Sequence, residues 1–403
     1  MKIRNRWVIL AAGVVANLCI GSAYAWSVFQ KPLIEMFGFS TSQASLAFTI
    51  SLSLVPFAMI LSGTLQSRIG ARYTLMLGSI IFGAGIFLAG FTTGIAVLYI
   101  TYGLLGGTGI GLIYGCTVPN AVKWFPDKRG LAGGVIAGGF GFGSFLFAPL
   151  SASLINSMDV LYTFRVEGIA YAIIVACAAL LISPPPAGYK PEGWEPQVTA
   201  AVISAEGLTT GGMMKTVKFW ILWIMYTIGC VAGLMIIGHA SPIGQERVGL
   251  SPETAAGAVA LLAVANTLGR LLWGAVSDWI GRYKALILMY AVTGVILLLL
   301  NGAGSYWLFV ISIMGVALCF GGFLGVFPSI TADSFGTLHL GINYGVMFTA
   351  YGLAAFIGPR LAAGIRESSG DYSLALIIAS LLSVAGIVLT IFMSISIKKK
   401  TNS

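Results

Sequence analysis

The chain has 403 residues, of which 58% are hydrophobic and only 9% charged, with a formal net charge of +9. A soluble domain carries roughly 25% charged residues, so this composition excludes an ordinary soluble fold and points to a lipid bilayer. The basic excess would suit nucleic acid or an anionic surface, but its placement along the chain, given below, argues against a nucleic-acid footprint.

Runs of about 18 or more mostly apolar residues cross a membrane as helices. Twelve are read along the chain, at about 7–29, 45–65, 73–91, 95–120, 131–155, 163–182, 219–238, 254–276, 285–300, 306–330, 342–363 and 373–396. The ninth is short and has room to extend at either end. The pattern predicts an all-α membrane protein of twelve transmembrane helices.

With both termini inside, the inner segments hold Lys2, Arg4, Arg6, Arg68, Arg72, Lys123, Lys128, Arg129, Lys190, Lys215, Lys218, Arg282, Lys284, Lys398, Lys399 and Lys400, which is 16 of the 22 basic residues. The outer side holds Lys31, Arg165, Arg247, Arg360 and Arg366. This bias is the positive-inside signature and sets the topology. The first run is too long for the apolar core of a cleaved signal, and further spans follow it. A multi-pass protein of a bacterial or archaeal cytoplasmic membrane is expected, with both termini cytoplasmic. Trp7, Trp220, Trp223, Trp279 and Trp307 fall at span ends, as an interfacial belt would. Cys19, Cys116, Cys177, Cys230 and Cys319 fall singly inside apolar runs, so no metal, redox motif or cofactor is expected.

The long polar stretch 183–218 opens with Pro184, Pro185 and Pro186 and carries Glu192, Glu195 and Glu206. It reads as a cytoplasmic linker between an N-terminal six-helix half, 1–182, and a C-terminal six-helix half, 219–403. A repeat supports the division. The turn 63–72 follows the second span, and the turn 274–284 follows the second span of the other half. Aligned on Gly63 and Gly274, the next glycines fall at Gly70 and Gly281. Duplicated halves of this kind place a substrate path between them. Gly103, Gly106, Gly107, Gly109 and Gly111, then Gly133, Gly134, Gly138, Gly139, Gly141 and Gly143, put small residues at helical spacing on the fourth and fifth spans. Such faces favour close helix approach, with a hinge as the alternative.

Late in the eighth run stand Asn266 and Arg270, a cation near mid-span. A cation in hydrocarbon costs at least ~2.5–3.5 kcal/mol and needs a partner or a watery cavity. The expectation is that Arg270 binds an anion; the alternative is a structural arginine paired with backbone carbonyls or a carboxylate.

The turn after each second span resembles the loop signature of the major facilitator superfamily, G-x-L-x-D-R-x-G-R-[RK]. The second copy keeps Gly274, Asp278, Gly281, Arg282 and Lys284; the first keeps Gly63, Leu65, Arg68, Gly70 and Arg72 but has Ser67 at the aspartate position. The resemblance implies two pseudo-symmetric six-helix halves and an inner gate built from Asp278, Arg282, Lys284, Arg68 and Arg72, with Asp278 capping or pairing with nearby charges. A solvated turn that fixes topology is the plainer alternative.

Residues 114–120, from Tyr114 to Asn120, and 123–133, Lys-Trp-Phe-Pro-Asp-Lys-Arg-Gly-Leu-Ala-Gly, resemble a signature of the oxalate:formate antiporter family that is related to one in the monocarboxylate transporters. Tyr24-Ala-Trp26, Phe327-Pro328-Ser329 and Asn343-Tyr344-Gly345 extend the likeness over nearly the whole chain. It implies transport of an anionic carboxylate by alternating access. On this resemblance Arg270 falls at an arginine that holds a substrate carboxylate, a task its planar fork suits. Tyr24 and Tyr114 fall on cavity tyrosines, and Asn120 joins the substrate-binding set. Phe140 replaces a tyrosine of the oxalate carrier, and Phe320 and Leu324 replace a tryptophan and a tyrosine. Tyr351 stands where that carrier has a second cation. Asn266 stands where mammalian-type carriers have an aspartate.

One cation suits a monoanion, since a second carboxylate buried without a partner would cost several kcal/mol. The expected substrate is therefore a small monocarboxylate of the lactate, pyruvate, acetate or glycolate kind, carried with a proton by a monomer in the bilayer. His239 is a candidate proton or pocket residue, against a histidine satisfied at a helix end. Glu167, Asp333 and His339 lie near span ends or in a loop. An exchanger of carboxylates is the first alternative, and a non-transporting membrane sensor a distant one. No nucleophile–base pair or metal site is read in any span, so an enzyme is not expected.

Overall fold

The computed structural model describes residues 5–186, 188–191 and 207–401, and the regular structure among these residues is helical throughout. Lys2, Arg4, Glu192, Glu195 and Glu206 of the sequence reading lie outside the described residues. The helices are α1 (Arg6–Gly21), α2 (Trp26–Phe37), α3 (Thr41–Ala89), α4 (Ile95–Leu98), α5 (Gly107–Trp124), α6 (Arg129–Ser157), α7 (Val160–Leu181), α8 (Thr210–Met214), α9 (Val217–Val248), α10 (Pro252–Ile280), α11 (Arg282–Asn301), α12 (Tyr306–Phe335), α13 (Leu340–Ser369) and α14 (Ser373–Thr401).

Eleven helices among the described residues are long and apolar enough to cross a membrane. The expected second and third spans both lie in α3, which is broken at Gly70 with φ 83° and ψ 163°. Its repeat partner Gly281, φ 93° and ψ 150°, separates α10 from α11. A side chain is strained at such angles, which accounts for glycine at both turns. The internal repeat is thus visible in the backbone as well as in the sequence.

Two of the expected spans are not uniform α-helix. The first passes from α1 through a 3₁₀ segment, Ser22–Ala25, into α2. The fourth passes from α4 through a π segment, Tyr99–Gly106, into α5. Such breaks recur at functional sites. The ninth span, α11, extends past the expected run at both ends. Helix starts follow polar caps: Ser40 and Gln43 form a capping box on α3, Thr216 caps α9, and Ser251 followed by Pro252 opens α10.

The chain divides into two compact units. Unit 1 comprises Met1–Asp127, Ile136–Trp194 and Thr337–Val346; unit 2 comprises Lys128–Val135, Glu195–Gly336 and Met347–Ser403. In lipid no hydrophobic drive brings one helix to another, so close fit and hydrogen bonds must. Glycine supplies that fit in unit 1. A Cβ at Gly107 would lie 2.4 Å from the Ser51 carbonyl oxygen, at Gly109 2.5 Å from Phe82 Cα, and at Gly143 2.3 Å from the Leu18 carbonyl oxygen. The glycine faces on the fourth and fifth spans are packing faces.

Unit 2 has an apolar core in which Met235, Ile236, Leu262, Phe309, Ile313 and Leu376 pack together. Ile80, Phe145, Leu381 and Val388 are exposed, as lipid-facing side chains would be. Trp7, Trp220, Trp279 and Trp307 are also exposed at helix ends, whereas Trp223 is half-buried and donates to Thr349 Oγ1 at 2.9 Å. Four cysteines are buried and Cys177 is exposed.

Candidate functional site

Arg270 lies in the second half of α10 and is 1% exposed. Two neighbouring helices grip its backbone through glycine. A Cβ at Gly325 of α12 would stand 2.6 Å from the Arg270 carbonyl oxygen, and one at Gly134 of α6 would stand 2.2 Å from the same atom. One turn earlier, Gly321 meets Asn266 in the same manner, with its absent Cβ 2.0 Å from the Asn266 carbonyl oxygen. Asn266 and Arg270, Gly321 and Gly325, and Gly130 and Gly134 each share a helix face at i,i+4. Three helices therefore meet at Arg270 through backbone rather than side chains. Among the described residues, Arg270 and Glu167 are the buried members of the Asp, Glu, Lys, Arg and His set.

An aromatic group surrounds α12 in unit 2. Phe320 is buried against Gly233 of α9, whose Cβ would fall 2.3 Å from the ring. Tyr351 of α13 stacks on Phe348, with centroids 4.9 Å apart, and lies 6.5 Å from Phe320 at 24°. Tyr226 stacks on Phe327 at 4.0 Å. Leu324 is buried on the same helix. The structure thus brings Phe320 and Tyr351 together, and places Asn266 against the residue following Phe320.

Past Arg270, at the Gly281 turn, unit 2 carries a network of charges. Asp278 accepts the N–H of Gly130 at 2.9 Å and that of Leu131 at 2.8 Å. Its carboxylate caps the first turn of α6, where unpaired amides and the helix dipole favour an anion. Arg282 donates to Asp278 at 2.5 Å, to Ser277 Oγ at 2.7 Å and to Asp333 at 3.0 Å. Asp333 also pairs with Arg129. Lys284 is exposed at the start of α11.

The first copy of the turn, in unit 1, is built differently. Ser67, at the position of Asp278, donates to the Thr64 carbonyl of its own helix at 2.8 Å. Arg72 donates to the Leu180 carbonyl at 2.9 Å, and Arg68 is exposed. Contact with 337–346 is made by Gly63, whose Cβ would lie 2.2 Å from Ile342 N.

Unit 1 gathers a second predicted set. Tyr24 sits on the 3₁₀ segment with its ring edge-on to Phe140 at 4.8 Å, and Tyr114 lies 5.5 Å from the same ring. Asn120 is buried further along α5. His239 belongs to another place, the second half of α9, which runs on past it to Val248, so it does not end its helix. Its Nδ1 lies 3.3 Å from the Met235 carbonyl oxygen, and its ring packs on Tyr372 at 5.5 Å.

Sequence reasoning read Arg129 as a topology charge within the 123–133 signature, with no gate role, and Asp333 only as a span-end acid. The signal for Arg129 was its place beside Gly130 in the 123–133 signature. For the glycine grip, the signal was the matched i,i+4 spacing of the three pairs. Asp333 left no local sign, because its partners come from two distant segments.

The chain matches the family model for the Major Facilitator Superfamily over residues 10–359 and 243–403. The oxalate:formate antiporter of Oxalobacter formigenes is 30% identical over 391 residues, which cover 96% of this chain and 91% of that one. Monocarboxylate transporter 13 of Rattus norvegicus is 25% identical over 396 residues, 95% of this chain and 88% of the relative. Among solved structures, the human organic anion transporter MFSD10 is similar with a TM-score of 0.76 at 14% identity, covering 96% of this chain and 100% of that one. The structural likeness bears on the fold alone, and the family match on descent: this chain belongs to the Major Facilitator Superfamily.

Proposed function

We propose that this transporter carries small monocarboxylates of the lactate or pyruvate kind, in symport with a proton, by alternating access, and that Arg270 holds the carboxylate. The observation that supports the reading most is the setting of Arg270, a permanent cation 1% exposed within an apolar helix. Its guanidinium offers a carboxylate two parallel N–H donors, and such charge-assisted pairs are roughly twice as strong as neutral hydrogen bonds. Asn266, Phe320, Leu324 and Tyr351 are assigned to the same site, and Tyr24, Tyr114, Asn120 and Phe140 are assigned substrate contacts by the family resemblance. Tyr351 in place of a second cation favours a monoanion, and the apolar Phe320 and Leu324 favour a short alkyl or hydroxyalkyl substituent. The network of Asp278, Arg282, Asp333 and Arg129 is assigned to the cytoplasmic gate, with Lys284, Arg68 and Arg72 at the two repeated turns. The protein acts as a monomer in a cytoplasmic membrane, with both termini inside.

The likeness to the oxalate:formate antiporter favours a second reading, an exchange of one carboxylate for another. Uptake of radiolabelled lactate into proteoliposomes under an imposed pH gradient separates the two. Symport predicts accumulation into empty vesicles driven by the gradient. Uptake that requires internal carboxylate and ignores the gradient selects exchange. Absence of both activities, with lactate binding retained, would point to a sensor.

A further inference from the structure

Unit 1 contains a buried acid that the proposed carboxylate site leaves unused. Glu167 lies on α7, roughly two turns from its start, and is 6% exposed. Ser151 of α6 donates to Oε1, and the Tyr171 hydroxyl, one turn further along α7, donates to Oε2 at 3.0 Å. Glu167 joins none of the ion pairs among the described residues. A buried carboxylate is ordinarily paired or fully hydrogen-bonded, so an acid held by hydroxyls alone invites a functional reading.

The acid faces a small cavity. Ser22, Ser51, Phe82, Tyr102 and Tyr171 line it with Glu167, and its free space is about that of one water molecule. Ser51 is 1% exposed, and its hydroxyl has no hydrogen-bond partner. The titratable groups around Glu167 are Tyr171 on its own helix and Tyr102 on the π segment, and Cys19 of α1 interacts with Tyr171 in turn. Among the described residues, no lysine, arginine or histidine lines the cavity. Ser151 and Tyr171 serve an ionised carboxylate as donors. For a protonated one the cavity has room for a single water as acceptor, which the Ser51 hydroxyl could anchor. The place therefore accommodates either protonation state.

Both irregular segments of unit 1 end at this cavity. Ser22 and Ala23 belong to the 3₁₀ segment, Tyr102 and Gly106 to the π segment, and all four line it. The Tyr102 hydroxyl reaches the Ala23 carbonyl at 3.5 Å. Tyr24, assigned above to the substrate, stands on that same single turn.

We infer that Glu167 is the proton-carrying group of this transporter, and that its occupancy is relayed to Tyr24 through the 3₁₀ turn. The inference rests on the proton-symport reading and names its coupling site. On loading, hydronium gives its proton to a carboxylate oxygen of Glu167 and leaves as water; on release the proton passes to water at the opposite side. Carried with one monocarboxylate anion, the proton makes the cargo electroneutral.

The test uses the full-length protein in proteoliposomes, wild type and Glu167→Gln, with two readouts. Infrared difference spectra across a pH titration should show a protonated-carboxyl band in wild type that is missing from E167Q. Under a pH gradient, E167Q should lose lactate accumulation at least tenfold while keeping lactate-for-lactate exchange within about twofold of wild type. A carboxyl band that persists unchanged in E167Q, or gradient-driven accumulation at the wild-type level, overturns the inference. If wild type itself ignores the gradient, the symport reading falls, and the band alone decides whether Glu167 binds a proton. If E167Q cannot be recovered folded, Glu167→Asp decides. Its band should titrate at a displaced midpoint, and an unchanged midpoint means the proton sits elsewhere.

Discussion

Gly134 of α6 is pressed against Arg270 of α10 so closely that a Cβ at Gly134 would stand 2.2 Å from the Arg270 carbonyl oxygen. The neighbour here is backbone, which cannot rotate away, so a methyl group at 134 must push the helices apart. Gly134→Ala should lower the melting temperature by several degrees and reduce lactate uptake at least tenfold. Gly257→Ala is the matched control on α10, because its Cβ would meet nothing within 4 Å. There alanine should be neutral or should stabilise by up to ~1 kcal/mol through helix propensity.

Replacing the arginine itself separates charge from shape. Hydrogen bonds to charged groups contribute ~1.5–3 kcal/mol, so Arg270→Ala should weaken lactate binding by roughly 10–100-fold. Arg270→Lys should recover only part of this, because a point charge does not reproduce the planar fork. Thermal-shift titration with lactate and vesicle flux check both variants. Full activity in R270A would remove Arg270 from the site.

On the proposed reading, Tyr351 sets how much negative charge the site accepts. Tyr351→Lys should raise binding of dicarboxylates such as oxalate relative to lactate, because a second carboxylate then finds a cation instead of a phenol. Competition of labelled lactate by oxalate measures the change. An unaltered ratio would count against the one-cation explanation of specificity.

The Asp278 carboxylate receives two backbone N–H groups at the start of α6 and one arginine. Asn in its place has one acceptor oxygen and no charge. Loss of a cap and of its interaction with the dipole costs about 1 kcal/mol. Asp278→Asn should therefore speed hydrogen exchange at Gly130 and Leu131 several-fold, with smaller changes toward the far end of α6. Uniform exchange across α6 would show that the cap does not hold this turn.

Asp371, between α13 and α14, gives a pH signature. Its hydrogen bonds from the Ser373 hydroxyl hold the carboxyl below the usual carboxylate range, and the Ser373 N–H and Arg247 act in the same direction. A depressed folded-state value stabilises above the unfolded pKa, ~3.9, and the benefit disappears as pH falls through the folded value. The melting temperature of wild type should exceed that of Asp371→Asn near neutrality, and the two should converge in acid. Asp371 is exposed, so the gap should be small and should shrink with salt.

Much of this was legible in the chain. Apolar runs located the spans because lipid tolerates little else, and the two turns carrying Gly70 and Gly281 announced the repeat. Arg270 stood out because a cation in an apolar run is costly wherever it lies. The breaks at Ser22–Ala25 and Tyr99–Gly106 were not legible. Both stretches are apolar and read as continuous helix, and the departure from α geometry depends on neighbours rather than on local composition. Glu167 was placed near a span end from sequence, and only the fold shows Ser151, Tyr102 and Ser51 around it. The unequal turns were partly visible: Ser67 marked the missing acid, but not that Gly63 makes backbone contact there instead.

The helices at Arg270 meet through glycine Cα atoms and carbonyl oxygens. Such a contact has no rotamers to freeze when it forms and none to release when it breaks. Ordering a long side chain costs up to ~2 kcal/mol, and this interface is spared that penalty in either direction. Its strength is then set almost wholly by fit over a few ångströms, so it should let go abruptly over a short displacement. The proposed alternating-access cycle, which closes and reopens once per turnover, would gain from a joint of that kind, one that holds by shape and leaves no entropy debt behind.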